Sequence, residues 1–155
     1  MTLTIFSLGP EHSKALSTLM VSEEPSYSQY FTPFSFDTKS LESRLSAAKR
    51  DRYWGIRWRE DLAGFFMLRG FDEGYERPSF GVYIAEAFSR YGLGKLALYY
   101  ALSWCRLNKI RAVMLKVHPD NVYARRIYED AGFQLLEICK RTGHRTYEIR
   151  WERNE

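Results

Sequence analysis

The first third of the chain changes its hydrophobic pattern twice. Leu3 and Ile5 alternate with polar residues over positions 2–7, which predicts a strand. Pro10 can begin a helix because its missing N–H would be unpaired there, and residues 15–20 continue one apolar face. Residues 21–37 have no period but carry five aromatic side chains. Such a segment packs under the domain or lines a binding cleft.

The middle of the chain alternates between helical and extended patterns. Asp37 and Ser40 are candidate N-caps for a helix that reaches about residue 50. Residues 53–58 and 62–69 are predicted to be antiparallel strands joined by a tight turn. An acidic loop follows over residues 70–78, and a further strand covers residues 79–84.

The second half of the chain predicts two helices that alternate with strands. Apolar residues recur every three or four positions from Leu93 to about Asn108, and residues 112–117 form a buried-type strand. Because a helix separates this strand from the previous one, the two should be parallel with a right-handed crossover. Asn121 should cap a short helix that stops at Gly132, and a hairpin turning at residues 142–143 should close the chain. The pattern predicts a single α+β domain over residues 1–155 with a mixed sheet.

Composition narrows the class of protein. The length of 155 residues suits one substantial core. No apolar run approaches the 18 residues of a membrane span, and the N-terminus lacks the build of a signal peptide, so we expect a cytoplasmic protein without a membrane partner. The two cysteines indicate neither a disulfide scaffold nor a metal site. The net charge of +4 comes from scattered basic residues without a nucleic-acid motif, so we expect no nucleic-acid partner.

A turn with two glycines lies between a predicted strand and a predicted helix N-terminus. Gly92 and Gly94 would let a ligand approach the backbone, and the first helical turn offers unpaired N–H groups. Arg90 and Lys95 add positive charge, so the turn is a candidate phosphate site. The simpler alternative is that the glycines only permit a tight turn. A P-loop is absent, and the dinucleotide pattern Gly-x-Gly-x-x-Gly is incomplete.

Two stretches together are more specific than the turn alone. Residues 84–94, Ile-Ala-Glu-Ala-Phe-Ser-Arg-Tyr-Gly-Leu-Gly, and residues 117–133, from Val117-His118-Pro119-Asp120-Asn121 to Phe133, resemble the GCN5-related N-acetyltransferase (GNAT) family. The resemblance implies a mostly antiparallel mixed sheet, flanked by helices on both faces, with a parallel strand pair splayed around acetyl-CoA. Ser89 stands where the family pattern has Gln or Arg, which suggests a changed phosphate contact.

The resemblance also implies roles for individual residues. The backbone of residues 82–84 would pair with the pantetheine arm, and an N–H there would polarise the thioester carbonyl. The expected coenzyme contacts are Val82, Tyr83, Ile84, Ser89, Arg90, Tyr91, Gly92, Leu93, Gly94, Lys95, Asn121 and Ala124. Tyr128 matches the general acid that protonates the departing thiolate, a role that suits a phenol of pKa about 10. Packing in the core is the alternative role for Tyr128.

The sequence specifies the coenzyme contacts more closely than it specifies the general base and the acceptor. The candidate bases are Glu73, Glu76, Glu86 and His118, with His118 or Glu73 preferred. In the family's layout the acceptor would meet Tyr30, Phe31, Phe34, Asp72 and Glu73. Aromatic faces beside carboxylates suit an amino sugar, including a nucleotide-linked one with Arg141 or Arg145 near its phosphates.

Two other functions remain open at this point. Within the family, the alternative is a peptide N-terminal or ribosomal-protein acetyltransferase. Outside it, the alternative is a non-catalytic CoA-binding interaction module. Many family members pair through their C-terminal strands, so the resemblance also implies a homodimer, in which Trp151 would lie at the interface or in the core.

Overall fold

The fold is built on one seven-stranded sheet. A computed structural model of the protein describes residues 2–152, and Met1 and residues 153–155 of the predicted domain lie outside the described part. The strand order is β1-β2-β3-β4-β5-β7-β6. The strands are β1 (Leu3–Ser7), β2 (Arg52–Trp58), β3 (Asp61–Arg69), β4 (Ser79–Ile84), β5 (Ala112–Val117), β6 (Gln134–Ile138) and β7 (Arg145–Arg150).

Five α-helices within residues 2–152 accompany the sheet. They are α1 (Ser13–Ser22), α2 (Pro25–Ser28), α3 (Thr38–Ala47), α4 (Leu93–Leu107) and α5 (Val122–Asp130). Helix α2 interrupts the segment predicted to be irregular, and it begins at Pro25 because a proline costs no hydrogen bond in the first helical turn. The Asp37 carboxylate caps α3 by accepting a 2.8 Å hydrogen bond from the Ser40 N–H, as predicted. None of the helices within residues 2–152 is long and apolar enough to cross a membrane.

Strand pairing confirms the predicted fold class. Every neighbouring pair in the sheet is antiparallel except β4 and β5, which are parallel and joined through α4. The α+β architecture with a mostly antiparallel mixed sheet is therefore present. The predicted hairpin at residues 142–143 joins β6 to β7.

The parallel strands part almost as soon as they meet. One residue pair, Ser79 with Met114, bridges β4 and β5, whereas β3 and β4 share six pairs. The N–H of Met114 donates to the Pro78 carbonyl at 3.0 Å just before the strands diverge. A gap therefore opens in the middle of the sheet beyond Ser79.

Helices cover both faces of the sheet and create two cores. Phe80, Val82 and Ile84 of β4 pack with α4 and α5 on one face. Tyr83, between them in sequence, packs with α1 and α3 on the other face, because successive strand residues point to opposite sides. Burial of large apolar side chains such as these contributes about 1.5–3 kcal/mol each. The gap between β4 and β5 thus connects the two faces of the sheet.

Candidate active site

A cleft of about 870 Å³ occupies the gap between β4 and β5. Its walls come from the segment after α1, from β4, from the turn before α4, from the end of β5 and from α5. The predicted coenzyme contacts that line it are Val82, Tyr83, Ile84, Ser89, Arg90, Gly92, Leu93, Gly94, Lys95, Asn121 and Ala124. Tyr91 lies outside the lining, with 77% of its surface exposed.

The N-terminus of α4 opens into this cleft with a turn whose backbone could accept an anion, here called the anion-binding turn. Gly92 adopts a left-handed φ of 80° and is the N-cap residue. The first helical hydrogen bond runs from the Leu96 N–H to the Gly92 carbonyl, so the N–H groups of residues 93–95 precede the helical ladder. A Cβ at Gly92 would meet no atom within 4 Å. Gly92 is therefore required for its backbone conformation and not for space.

Arg90 is the unusual residue of this turn. Its φ is +73°, a left-handed conformation that costs a residue with a Cβ about 1–2 kcal/mol. The neighbouring Ser89 hydroxyl donates 2.7 Å to the Glu86 carbonyl. Ser89 therefore closes the turn locally, while Arg90 and Lys95 contribute the charge that lines the cleft.

The edge of β4 turns backbone N–H and C=O groups towards the gap. The N–H of Ala85 donates to the Ala63 carbonyl at 2.8 Å, which fixes the alternation of the β3–β4 ladder. In that alternation, the N–H and C=O groups of Phe80, Val82 and Ile84 point away from β3, towards β5. The Ile84 carbonyl accepts a 2.8 Å hydrogen bond from the Tyr27 hydroxyl.

Tyr128 lines the cleft from α5 on the other side of the gap. The phenol is half-buried between the rings of Phe80 and Phe133, whose centroids lie 6.5 and 5.9 Å from its own. Burial raises the pKa of Tyr128 to about 12. Asn121 orients α5, because its Oδ1 accepts 3.4 Å from the Ala124 N–H as the helix N-cap. The tyrosine therefore faces the cleft as a protonated donor.

Aromatic and imidazole rings gather at the end of β5. His118 lies against Tyr30 with ring centroids 4.2 Å apart, and His144 from the β6–β7 hairpin meets His118 at 5.2 Å. The Asp120 N–H donates 3.1 Å to His118 Nδ1, and Asp120 Oδ2 lies 3.9 Å from the same nitrogen. The neutral imidazole consequently carries its proton on Nε2. Tyr30 and Phe31 both line the cleft.

Three residues predicted to meet the acceptor lie elsewhere. Phe34, Asp72 and Glu73 border a separate pocket beside α3. The Asp72 carboxylate accepts hydrogen bonds of 3.0, 2.7 and 3.3 Å from the N–H groups of residues 49–51. Those bonds, led by the one from residue 50, lower the pKa of Asp72. The acidic loop thus fixes the end of α3 to the sheet. Phe34, Asp72 and Glu73 all lie outside the lining of the cleft.

The other candidate bases also stay outside the cleft. Glu76 and Glu86 are exposed and do not line it, whereas His118 does. Arg141 and Arg145, expected near acceptor phosphates, do not line it either. Arg145 shares a cross-strand pair with Val117, whose side chain faces α4 and α5.

Several cleft residues escaped the sequence analysis. The hydroxyl of Tyr83 donates 2.9 Å to Glu23 Oε1, which also accepts 2.9 Å from the Glu86 N–H. No local pattern predicts that pairing, because Glu23 merely follows α1. Arg69 and Lys116 also line the cleft. Strand alternation could have identified them, since Lys116 stands two residues before His118 and shares its face.

A family model for the acetyltransferase (GNAT) family matches residues 16–133. Solved structures agree with it in fold. RimL, a ribosomal L7/L12 alpha-N-protein acetyltransferase in complex with coenzyme A, has a TM-score of 0.80 at 16% identity, over 97% of this chain and 94% of its own. The PaiA N-acetyltransferase of Thermoplasma acidophilum, in complex with coenzyme A, has a TM-score of 0.78 at 16% identity, over 97% and 100%.

A third structure covers the whole chain. yncA of Salmonella typhimurium, with acetyl-CoA, has a TM-score of 0.81 at 13% identity, over 100% of this chain and 97% of its own. No curated protein matches the sequence significantly. At these identities the structures establish the fold, and the family model establishes membership. The chain belongs to the acetyltransferase (GNAT) family.

Proposed function

We propose that this protein is an acetyl-CoA-dependent N-acetyltransferase and that residues 1–155 form a single catalytic domain. The observation that carries the proposal is the meeting of three features in one cleft. These are the anion-binding turn at α4, the edge of β4 that faces the gap and the phenol of Tyr128. Structures of the same fold are complexes with coenzyme A or acetyl-CoA, which supports the choice of donor.

The two sides of the gap would divide the binding of acetyl-CoA. The N–H groups of residues 93–95, together with Arg90 and Lys95, would hold the pyrophosphate. The β4 edge would pair with the pantetheine amides, and one of its N–H groups would stabilise the oxyanion that forms when the amine attacks the thioester carbonyl. Transfer is direct: the new C–N bond forms and the C–S bond breaks within one ternary complex.

Tyr128 would give its proton to the leaving sulfur. A thiol in water has a pKa of about 8.5, well below that of this phenol. Desolvation offsets that disadvantage, because loss of water raises the pKa of a thiol as well as that of a phenol. A departing thiolate that the bound substrates shield from water would therefore be a stronger base than in solution, and Tyr128 would be its proton donor.

His118 is our proposal for the group that takes the proton of the amine. Since Nδ1 accepts the Asp120 N–H, protonation of the ring would occur there, at the expense of that hydrogen bond. The Asp120 carboxylate lies 3.9 Å from the same nitrogen. His118→Gln should lower kcat by about a hundredfold or more and leave the Kd for acetyl-CoA unchanged, as expected for loss of a general base. Full kcat in this variant would exclude His118 as the base.

For the acceptor, we propose an amino sugar bound against Tyr30 and Phe31. Flat aromatic faces at the cleft suit the apolar face of a sugar ring. The resemblance to RimL keeps a peptide N-terminus as the alternative acceptor. Residues 29–33, which follow α2, line that side of the cleft, and we expect this wall to favour the smaller substrate.

A two-stage experiment tests the function. Titration calorimetry with acetyl-CoA measures donor binding, and release of free thiol is then followed over a panel of amino sugars and short peptides. Turnover of amino sugars but not of peptides is expected. Turnover of peptides alone would show that the acceptor is a peptide N-terminus and not an amino sugar. Binding of acetyl-CoA without turnover of any amine would indicate a non-catalytic CoA-binding module.

A further inference from the structure

The cleft has a second group of cations on the face away from the anion-binding turn. Arg69 pairs with Ser79, and Ser79 pairs with Met114, so the three share one face of the sheet. Lys116 lies two residues beyond Met114 and points the same way. This is the face of Tyr83 and His118, opposite α4 and α5. Arg69 and Lys116 therefore border the acceptor's side of the gap.

The charge of the cleft is entirely positive. Its lining, drawn from residues 2–152, contains four Lys or Arg side chains and no Asp or Glu. Arg90 and Lys95 lie at the N-terminus of α4 and are accounted for by a pyrophosphate. Arg69 and Lys116 remain, and they have no ion pair within 4.0 Å in the described part of the chain.

Nearby carboxylates are already engaged. Glu23 Oε1 accepts from Tyr83 and from the Glu86 N–H. Glu148, on the same face of β7, is held by Arg77 and Arg150. Asp120 lies beside His118 with 74% of its side chain exposed. None of these groups neutralises Arg69 or Lys116, so an anion on this face would find both cations available.

Arg69 is also oriented before any ligand arrives. Its Nη1 donates 3.5 Å to the Pro33 carbonyl, and its guanidinium carbon lies 5.2 Å from the centre of the Phe34 ring. Because these contacts fix the side chain, less conformational entropy is lost on binding. Arg69 and Lys116 stand on strands two positions apart, about 10 Å in the sheet, and Lys116 lies two residues, about 6.6 Å, further along β5 than the residue level with Arg69, so their backbones are about 12 Å or more apart. Two long side chains can converge on one anion across that span or hold the ends of a diphosphate.

We propose that the acceptor amine carries an anionic group, a phosphate or a carboxylate, which Arg69 and Lys116 bind. The inference rests on the proposed acetyl transfer and specifies its substrate. It excludes polyamines and other polycationic amines as preferred acceptors, because an entirely positive cleft repels them. Among amino sugars it favours phosphorylated and nucleoside diphosphate-linked forms over the free sugar.

The binding test uses the protein saturated with coenzyme A, which keeps the anion-binding turn at α4 occupied. Inorganic pyrophosphate is then titrated by calorimetry into the wild type, Arg69→Gln, Lys116→Gln and the control Lys14→Gln. Lys14 is exposed on α1 and lines neither pocket. The two cleft variants should weaken pyrophosphate binding about tenfold each, and the control should not change it. Absent binding, or equal binding to all four proteins, would overturn the inference.

Kinetics separate this inference from the proposed function. Thiol release is compared for glucosamine, glucosamine 1-phosphate, UDP-glucosamine, glutamate and spermidine. An anionic amine should have the lowest KM, and Lys116→Gln should raise that KM about tenfold with little change in kcat. Comparison of the KM for glucosamine 1-phosphate with that for glutamate shows whether the site prefers a phosphate or a carboxylate. Preference for glucosamine or spermidine would refute the anion site and leave acetyl transfer intact. Acetyl-CoA binding without turnover of any amine would refute the function.

Discussion

The hydroxyl of Tyr27 donates a 2.8 Å hydrogen bond to the carbonyl of Ile84, 57 residues away in sequence. That carbonyl belongs to the edge of β4 that faces the gap. Burial, and then the charges of Glu23 and Glu86, raise the pKa of Tyr27, so the phenol remains a donor at neutral pH. The protein thus satisfies for itself one of the β4 groups that a pantetheine arm would use.

Tyr27→Phe should therefore strengthen acetyl-CoA binding. The competing hydrogen bond is worth about 0.5–1.5 kcal/mol, so the Kd should fall by about twofold to thirteenfold. Titration calorimetry measures the change, and Tyr91→Phe, which alters an exposed phenol outside the cleft, is the matched control. A rise in Kd would mean that Tyr27 assists the ligand instead of competing with it.

Tyr128→Phe should lower kcat by about a hundredfold or more and leave the Kd for acetyl-CoA unchanged, since general acid catalysis contributes about 10²–10⁴. With its pKa raised to about 12, Tyr128 stays protonated up to pH 10. The wild-type rate should therefore show no alkaline decline from this group below pH 10. Tyr99→Phe, on α4 outside the cleft lining, controls for the loss of a hydroxyl. Full kcat in the Tyr128 variant from pH 7 to 9 would remove Tyr128 from the reaction.

Arg90 combines a strained backbone with a useful charge, and two variants separate them. Arg90→Gly should raise the free energy of unfolding by about 1 kcal/mol, because glycine adopts the positive φ of 73° without strain. Arg90→Ala keeps most of the strain and loses only the charge. Both should weaken acetyl-CoA binding a few-fold, as expected for an exposed charge worth about 1 kcal/mol or less. Denaturant titration and calorimetry measure the two effects, and equal stability of both variants would contradict the strain.

The edge strand β6 is our proposed homodimer interface. All five of its residues are exposed, and Leu135, Leu136 and Ile138 expose 44%, 52% and 49% of their surface. An open strand edge with apolar side chains pairs readily with another strand. Leu136→Glu should convert a dimer to a monomer in size-exclusion chromatography with light scattering, whereas Val21→Glu, at an equally apolar exposed site on α1, should not. A monomeric wild type would refute the proposal.

Local patterns predicted the elements that form the turn before α4 and the start of α5. The change of period at Leu93, the glycines beside it and the cap at Asn121 are all short-range signals, and each specifies the end of a helix. The helix between β4 and β5 made those strands parallel by a topological rule. The residues that meet at the anion-binding turn and on α5 follow from these elements alone.

The positions of other residues depend on contacts between parts of the chain that are far apart in sequence, which local patterns do not predict. Asp72 looks like an acceptor contact in an acidic loop, yet its carboxylate binds the backbone of residues 49–51. His144 lies in the predicted hairpin and reaches His118, since Gly143 beside it packs on Pro119, with a hypothetical Cβ only 3.3 Å from its ring. Both contacts join residues more than 20 positions apart in the chain.

In the described part of the chain, β4 and β5 are joined by the single bridge between Ser79 and Met114. This weakly paired line in the middle of the sheet is here called the seam. The strand pairs on either side of it, β3 with β4 and β5 with β7, share six residue pairs each, so the seam is where local opening should cost least. An extended ligand whose amides pair with β4 would act as a substitute strand there and close the seam. The two halves of the protein would then be joined most firmly at the moment when they must hold donor and acceptor in register.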